Sequence, residues 1–239
     1  MHIRLITTVS ITIRLFLLTS TAALLLSGCV ALHTTAELTY INGSGVESLS
    51  SNASLSYSAS ERSISGNGFL IYRKPNQIRV VLLSPFGSVI QEIYISDKFV
   101  SIIDSGNGIA FSGNQQDLPD KGDFSGWRYI HLLVDIDPPD MSKKTSVIER
   151  INRFGELEKD SFENGLLISK VTASGTQVRY NRYTVINGTA LPLEITCETA
   201  AKEKFTIRLE DPEINIPLTD EGFAPNLSKL RVYPLSRLK

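Results

Sequence analysis

The sequence predicts a mainly β protein, a strongly curved sheet or partial barrel of roughly ten antiparallel strands with one central helix. Three observations predict it. Short apolar or alternating runs, each closed by a turn, recur from residue 53 to residue 209. One stretch, 124–135, switches to helical spacing. Asn187-Gly188 stands between two apolar runs, the strongest short-range hairpin signal a sequence offers.

Residues 53–59 set Ala53, Leu55, Tyr57 and Ala59 against Ser54, Ser56 and Ser58, the period of a half-buried strand. Ser65-Gly66-Asn67-Gly68 reads as a turn, and 68–73 as the next strand, with Phe69-Leu70-Ile71-Tyr72 as its body. Lys74-Pro75-Asn76 stops it, because Pro fixes φ and Asn tolerates unusual backbone angles. The chain returns along 77–83. Residues 88–96 place Val89, Ile93 and Ile95 on one face and Ile90, Glu92 and Tyr94 on the other. A strand over 99–104 follows, with 109–111 as a short continuation after Ser105-Gly106-Asn107-Gly108. In 124–135, Phe124, Trp127, Ile130, Leu133 and Val134 would share a helix face, with Ser125 as N-cap and Asp137-Pro138-Pro139 as the stop. Strands return over 146–154, 165–173, 177–186, 191–199 and 204–209.

Residues 77–83 are apolar on both faces, at Ile78, Val80 and Leu82 and again at Val81 and Leu83, which a sheet with one wet face would not need. Either a second layer of side chains or a ligand cavity covers one side.

Near the N-terminus, Arg4 and Arg14 flank an apolar run over 15–26 that ends in Leu26-Ser27-Gly28-Cys29. The run is short for a spanning helix, which needs about 20 apolar residues, and has the shape of a cleaved secretory signal. Its last four residues resemble the bacterial lipoprotein signal. That resemblance implies cleavage before Cys29, a diacylglyceryl thioether on its sulfur and an N-acyl chain on the new amine. It also implies an envelope location, and Val30, where an Asp would resemble an inner-membrane retention signal, points to the outer membrane with the domain facing the periplasm. The expected organisation is a signal over 1–28, a Ser-, Thr- and Gly-rich lipidated tether over 29–52, and one domain over 53–239. The mature part is about 210 residues, the size of one large β-rich domain.

Composition excludes several functions. The 24 basic residues less Arg4 and Arg14 leave 22 against 25 acidic ones, a net charge of −3 with no basic stripe for nucleic acid. With Cys29 committed to lipid, Cys197 has no disulfide partner, and its alternation with Leu193 and Ile195 reads as a small buried hydrophobe. The mature part holds only His33 and His131, too few for a clustered His metal site, and His131 reads as structural. Asp135, Asp137 and Asp140 resemble a calcium loop only superficially, since Pro138-Pro139 blocks the required turn. Trp127 reads as lid or core packing. No catalytic constellation, metal site or bound cofactor is expected, and the protein is read as a non-enzyme and a monomer.

The stretch Gly68-Phe-Leu-Ile-Tyr-Arg-Lys-Pro-Asn-Gln-Ile-Arg-Val-Val-Leu-Leu-Ser-Pro-Phe-Gly-Ser88 resembles the LolA/LolB family of periplasmic lipoprotein carriers and outer-membrane receptors, its LolB-like branch most of all. Leu191-Pro-Leu-Glu-Ile, Lys204-Phe-Thr-Ile-Arg-Leu and the tail over 211–227 resemble its closing strands. The resemblance implies an open antiparallel β-barrel, or half-barrel, with a helical lid over an apolar cavity for acyl chains of lipoproteins or lipids. Trp127, Ile130, Val80, Leu82 and Ile93 would line that cavity. Arg79, the strand arginine of the pattern, would sit at its mouth or face solvent. Phe86, between Pro85 and Gly87, would either meet the membrane at a protruding turn or fold back as a plug. A periplasmic carrier protein would be the donor and the outer membrane the acceptor. The chain departs from the pattern in two places: 37–51 is a poor amphipathic helix, and the lid is reduced to one helix. The alternative reading is a non-transporting envelope scaffold or sensor that uses the same fold to hold a protein partner.

Overall fold

A computed structural model describes residues 38–59, 63–119, 124–152 and 155–238. Cys29 and the tether up to residue 37 lie outside them. Strands β1 (Ser48–Ser58), β2 (Ser63–Arg73), β3 (Gln77–Leu83), β4 (Val89–Ser96), β5 (Phe99–Asp104) and β6 (Ile109–Asn114) form one meander. Strands β7 (Thr145–Ile151), β8 (Leu157–Glu163), β9 (Leu166–Thr172), β10 (Gln177–Ile186), β11 (Thr189–Glu198) and β12 (Lys204–Ile214) form a second. The meanders join where β1 pairs antiparallel with β12. A short strand, β13 (Arg231–Pro234), lies parallel to β6 at one end. The described residues thus hold a single open sheet in the order β13-β6-β5-β4-β3-β2-β1-β12-β11-β10-β9-β8-β7, not closed into a barrel.

Two-residue alternation sets the faces. Leu49, Ala53, Leu55 and Tyr57 of β1, Leu70 and Tyr72 of β2, and Ile207 and Leu209 of β12 are buried in one core on the inner face. A slip of one residue in any strand would turn that set outward, so the pattern specifies the register. Three hairpins turn on two residues: Asp97-Lys98 opens on Asp97 at φ 54°, and the other two are Asn-Gly with positive φ throughout, Asn164 and Gly165 at 50° and 76°, Asn187 and Gly188 at 49° and 80°. That is the twist a tight antiparallel hairpin requires.

The chain leaves β6 near one end of the sheet and enters β7 at the other, so the described residues between them, 115–119 and 124–144, lie across the sheet. They do so on the inner face. The segment is a 3-10 turn (Ser125–Tyr129) running into one short helix, α1 (Ile130–Val134), where the spacing predicted a continuous helix over 124–135. The expected apolar face is buried at Trp127, Ile130, Leu133 and Val134, but Leu132 is buried as well. A segment enclosed on all sides takes its shape from its surroundings more than from its own period. Ser125 is not an N-cap; its hydroxyl donates to Glu203 Oε2 at 3.2 Å, beside the Tyr57 hydroxyl on Oε1 at 2.9 Å. Trp127 meets Phe205 edge-on with ring centroids 5.3 Å apart. From β10, the buried Tyr180 hydroxyl donates to the Leu132 carbonyl at 2.6 Å. Replacing Tyr180 by Phe leaves that carbonyl without this partner and is expected to cost about 1–2 kcal/mol in chemical unfolding.

The outer face is covered in part by the C-terminal tail. Asn215 N–H donates to the Ser48 carbonyl, and the tail then crosses behind β3 and β4. The Arg73 guanidinium lies 4.8 Å from the Phe223 ring centroid, and Leu227 and Leu230 pack on Tyr94, Ile103 and Ala110. After β13 the chain returns to the main core through Leu235 and Leu238.

The first strand starts at Ser48 rather than 53, with Leu49 and Ser51 already buried, so part of the stretch read as tether and weak helix is strand. Ser65-Gly66-Asn67-Gly68, read as a turn, is the first half of β2, held against β1 with Gly66 opposite Leu55 and Gly68 opposite Ala53. Glycine is needed at position 68, where a Cβ would sit 1.7 Å from the Val81 carbonyl oxygen. Ser105-Gly106-Asn107-Gly108 is a turn as expected, with Asp104 Oδ1 accepting from Asn107 N–H at 3.0 Å. Strands β8 and β13 were not foreseen. Among the described residues no helix is long and apolar enough to cross a membrane.

Candidate functional site

Five of the six residues expected to line a cavity converge. Val80 and Ile93 face each other across β3 and β4, both fully buried, and Ile130 and Trp127 belong to the same core beneath the crossing segment. Leu82 packs against that core and is half-buried. The inner face of the first meander therefore joins one apolar core with Leu118, Trp127, Ile130 and Leu133 of the crossing segment.

Arg79 is not part of it. One residue along from Val80, it points to the outer face, where Nη2 pairs with Glu92 Oε2 at 2.7 Å and the guanidinium lies 5.1 Å from the Tyr94 ring centroid. Its Nη1 reaches the Gly222 carbonyl of the tail at 3.4 Å, so it neither sits at a mouth of the inner face nor stands free in solvent. The same Glu92 accepts from the Tyr94 hydroxyl at 2.7 Å; burial first, and that bond second, push the Tyr94 hydroxyl up to about 12. Arg79 thus ties β3 and β4 to the C-terminal tail.

Pro85, Phe86 and Gly87 form the loop between β3 and β4. Gly87 N–H donates to the Ser84 carbonyl at 2.9 Å, Ser84 N–H to the Ser88 carbonyl at 2.8 Å, and Gly87 takes φ 82°. This is a three-residue hairpin loop closed by a left-handed glycine. The Ser84 hydroxyl oxygen also accepts from Phe86 N–H and Ser88 N–H, at 3.3 and 3.1 Å. The loop N–H groups of Phe86 and Gly87 are thus both bonded within the turn, while the side chain it carries is free of the core: Phe86 is 94% exposed. Val89 and Ile90, just after the loop, are exposed too. Phe86 is a tip and not a plug.

A polar constellation escaped the sequence reading. On the inner face of the second meander, Glu158 and Asp160 of β8 and Lys170 of β9 are each no more than 2% exposed. Arg150 of β7 lies among them, its Nε 3.0 Å from Glu158 Oε1. Its Nη2 donates to Asp137 Oδ2 of the crossing segment at 2.6 Å and lies 2.7 Å from Asp160 Oδ2. Lys170 Nζ is 3.5 Å from Glu158 Oε1. Neither Asp160 oxygen accepts a hydrogen bond among the described residues. Three carboxylates thus meet two bases. Burial, opposed by Lys170 and Arg150 and reinforced by Glu158 and Asp137, raises Asp160 from 3.8 to about 6. A carboxyl that holds its proton more tightly folded than unfolded stabilises the fold fully below about pH 4, and that contribution is lost as pH rises through about 6. Burial also pushes Tyr180 and Tyr183, beside this cluster, well above their ordinary range.

The remaining candidates are structural. Cys197 is buried, and burial followed by the Glu198 charge pushes its thiol up to about 12, which leaves it unreactive. Asp137 belongs to Arg150, and Asp140 accepts from Ser142 N–H at 3.0 Å. Among the described residues no group of three or more His, Cys, Asp or Glu is placed to hold a metal ion.

No family model matches the sequence. No curated protein matches it significantly. Solved structures do match. A DUF1329 family protein from Desulfovibrio piger superposes with a TM-score of 0.56 at 12% identity, over 75% of this chain and 90% of that one. A LolA superfamily protein from Nitrosomonas europaea gives 0.47 at 13% identity, over 76% and 92%. A domain provisionally assigned to outer membrane lipoprotein sorting, from Vibrio parahaemolyticus, gives 0.49 at 8% identity, over 75% and 90%. The likeness to the Desulfovibrio piger protein is one of fold, and it covers most of both chains: this protein shares the large open sheet of that DUF1329 structure.

Proposed function

We propose that this protein is a lipid-anchored envelope protein that takes acyl chains of lipoproteins or lipids against the inner face of its sheet and hands them to a membrane at the Phe86 tip. The observation that carries the reading is the pairing of two apolar surfaces, one between the first meander and the crossing segment and one at the meander's β3–β4 loop. One is internal, at Val80, Ile93, Trp127 and Ile130; the other is Phe86, held out on a rigid three-residue loop. A tight turn that spends its backbone hydrogen bonds on itself and presents an aromatic ring is suited to the membrane interface. The resemblance of residues 68–88 to the LolA/LolB family supports the same reading.

In this reading Cys29 carries the diacylglyceryl and N-acyl chains, which hold the domain at the outer membrane, facing the periplasm. Each buried methylene contributes roughly 0.8 kcal/mol, and two chains suffice for stable attachment. A periplasmic carrier protein supplies the cargo, and the protein acts as a monomer without covalent chemistry. Transfer is driven by differential affinity, since the bilayer is the larger apolar sink.

Titrating the protein with a fatty acid or lipopeptide tests the uptake step. Trp127 is the sole tryptophan, so a saturable change in its emission reports occupancy beneath the crossing segment. The scaffold reading, in which the same fold holds a protein partner, is favoured by one observation: Trp127, Ile130 and Leu133 already occupy the inner face, none more than 5% exposed. An emission that stays constant through the titration decides for the scaffold.

A further inference from the structure

The crossing segment is fixed unequally along its length. Trp127, Ile130 and Leu133 are held by apolar packing, which pH does not touch. Ile136 still belongs to that apolar core, but beyond it the stretch 137–140 is tied to the second meander by polar contacts, while the Pro139 carbonyl accepts from Gly43 N–H at 2.8 Å. Asp137 bonds Arg150, and Asp140 N–H donates to the Gly165 carbonyl at 2.9 Å. The Arg150 nitrogen that holds Asp137 is the same Nη2 that lies against Asp160. Two carboxylates therefore compete for one nitrogen, and with both ionised they also repel each other, Asp160 from a buried position and Asp137 from a partly exposed one.

We propose that the Arg150-centred cluster is a pH-responsive latch: it holds the 137–140 end of the crossing segment against β7–β9 while Asp160 is protonated, and loosens when Asp160 ionises. The groups that face Asp160 are Arg150 from β7, Glu158 from its own strand, Lys170 from β9, Asp137 from the crossing segment and Tyr180 from β10. With Asp160 neutral, two bases meet two carboxylates, and Arg150 is left to Glu158 and Asp137. Ionisation adds a third negative charge that no further base offsets. The proton thus comes off on approach to neutral pH, in line with the elevated titration of Asp160. The latch concerns the segment itself and stands whatever the inner face binds. Its consequence is that the cover on the second meander is firm in acid and mobile at neutral pH.

Hydrogen exchange of a peptide spanning 130–140 tests this, measured on the full chain at about pH 5 and about pH 7.5 with exchange times scaled for the intrinsic pH dependence. Wild type is expected to exchange about tenfold faster, after scaling, at the higher pH, while peptides from β1 and β12 stay unchanged. Asp160→Asn should exchange slowly at both pH values, because the cluster is balanced at both. Asp137→Asn should exchange fast at both, because the segment loses its anchor. Equal scaled exchange in the wild type overturns the proposal. So does a transition that survives in Asp160→Asn, which would assign it to His131 on the same segment, a side chain that ordinarily titrates in this range. Slow exchange in Asp137→Asn overturns it as well.

Discussion

Phe86→Glu is expected to abolish delivery of bound lipid into vesicles while leaving unfolding stability within about 0.5 kcal/mol of the parent. The two halves of that expectation have separate grounds. Stability is untouched because the ring is 94% exposed and the loop is held by backbone bonds to Ser84, by Pro85 and by Gly87. Delivery fails because a carboxylate at the tip resists entry into the interface that an aromatic ring favours. Phe86→Trp should restore transfer, since it keeps an interfacial aromatic. Vesicle transfer assays, paired with urea unfolding of the same preparations, measure both. Normal transfer by a stable Glu variant would remove the tip from the mechanism.

Arg150→Met is expected to destabilise the fold by about 3–4 kcal/mol at neutral pH, the largest loss foreseen for any single side chain here. Glu158 and Asp160, each nearly inaccessible to solvent, would be left with Lys170 alone, and Asp137 would lose its partner. Breaking one side of a buried ion cluster costs more than the pair is worth, because the charges left behind cannot regain water. The loss should shrink toward pH 5, where Asp160 takes up a proton and relieves part of the excess negative charge. Arg150→Lys should rescue little, since one ammonium cannot reach Glu158, Asp137 and Asp160 together as the planar guanidinium does. Urea unfolding of the two variants at the two pH values gives the ordering directly.

The sheet was legible wherever its inner positions are apolar. The spans 77–83, 99–104 and 177–186 coincide with β3, β5 and β10, and most other strands fall within a few residues of expectation. What failed was one inversion of the code. In β8 two of the three inward residues are Glu158 and Asp160, with only Phe162 apolar, and Leu157 points outward, so no apolar alternation marks the strand. Asn164-Gly165, the same dipeptide that betrayed the β10–β11 hairpin, was the signal that could have found it. The polar first half of β2 was missed for a related reason, since Ser, Gly and Asn there have no apolar face to show and depend on β1 for their pairing. The site divides in the same way. Val80, Ile93, Trp127 and Ile130 were placed on buried faces by periodicity, whereas the Arg150 cluster draws charged residues from three consecutive strands and the segment before them, and only the pairing of those strands brings it together. The position of Arg79 was legible in part, because alternation alone sets it opposite Val80.

The C-terminal tail has a consequence for how many copies of this sheet can join. An open sheet has two rims, and a chain with two adhesive rims can add neighbours without end. Here β13 seals β6 with four residues that end in Pro234, which offers no N–H to a newcomer. The seven residues of β7 are then the longer rim left without a strand beside it among the described residues. Sheets of this kind can meet rim to rim once, as a closed pair, and then have no comparable rim left. Cutting the chain before Arg231 would bare Ile109–Asn114 as a second rim and is expected to make the protein associate more readily.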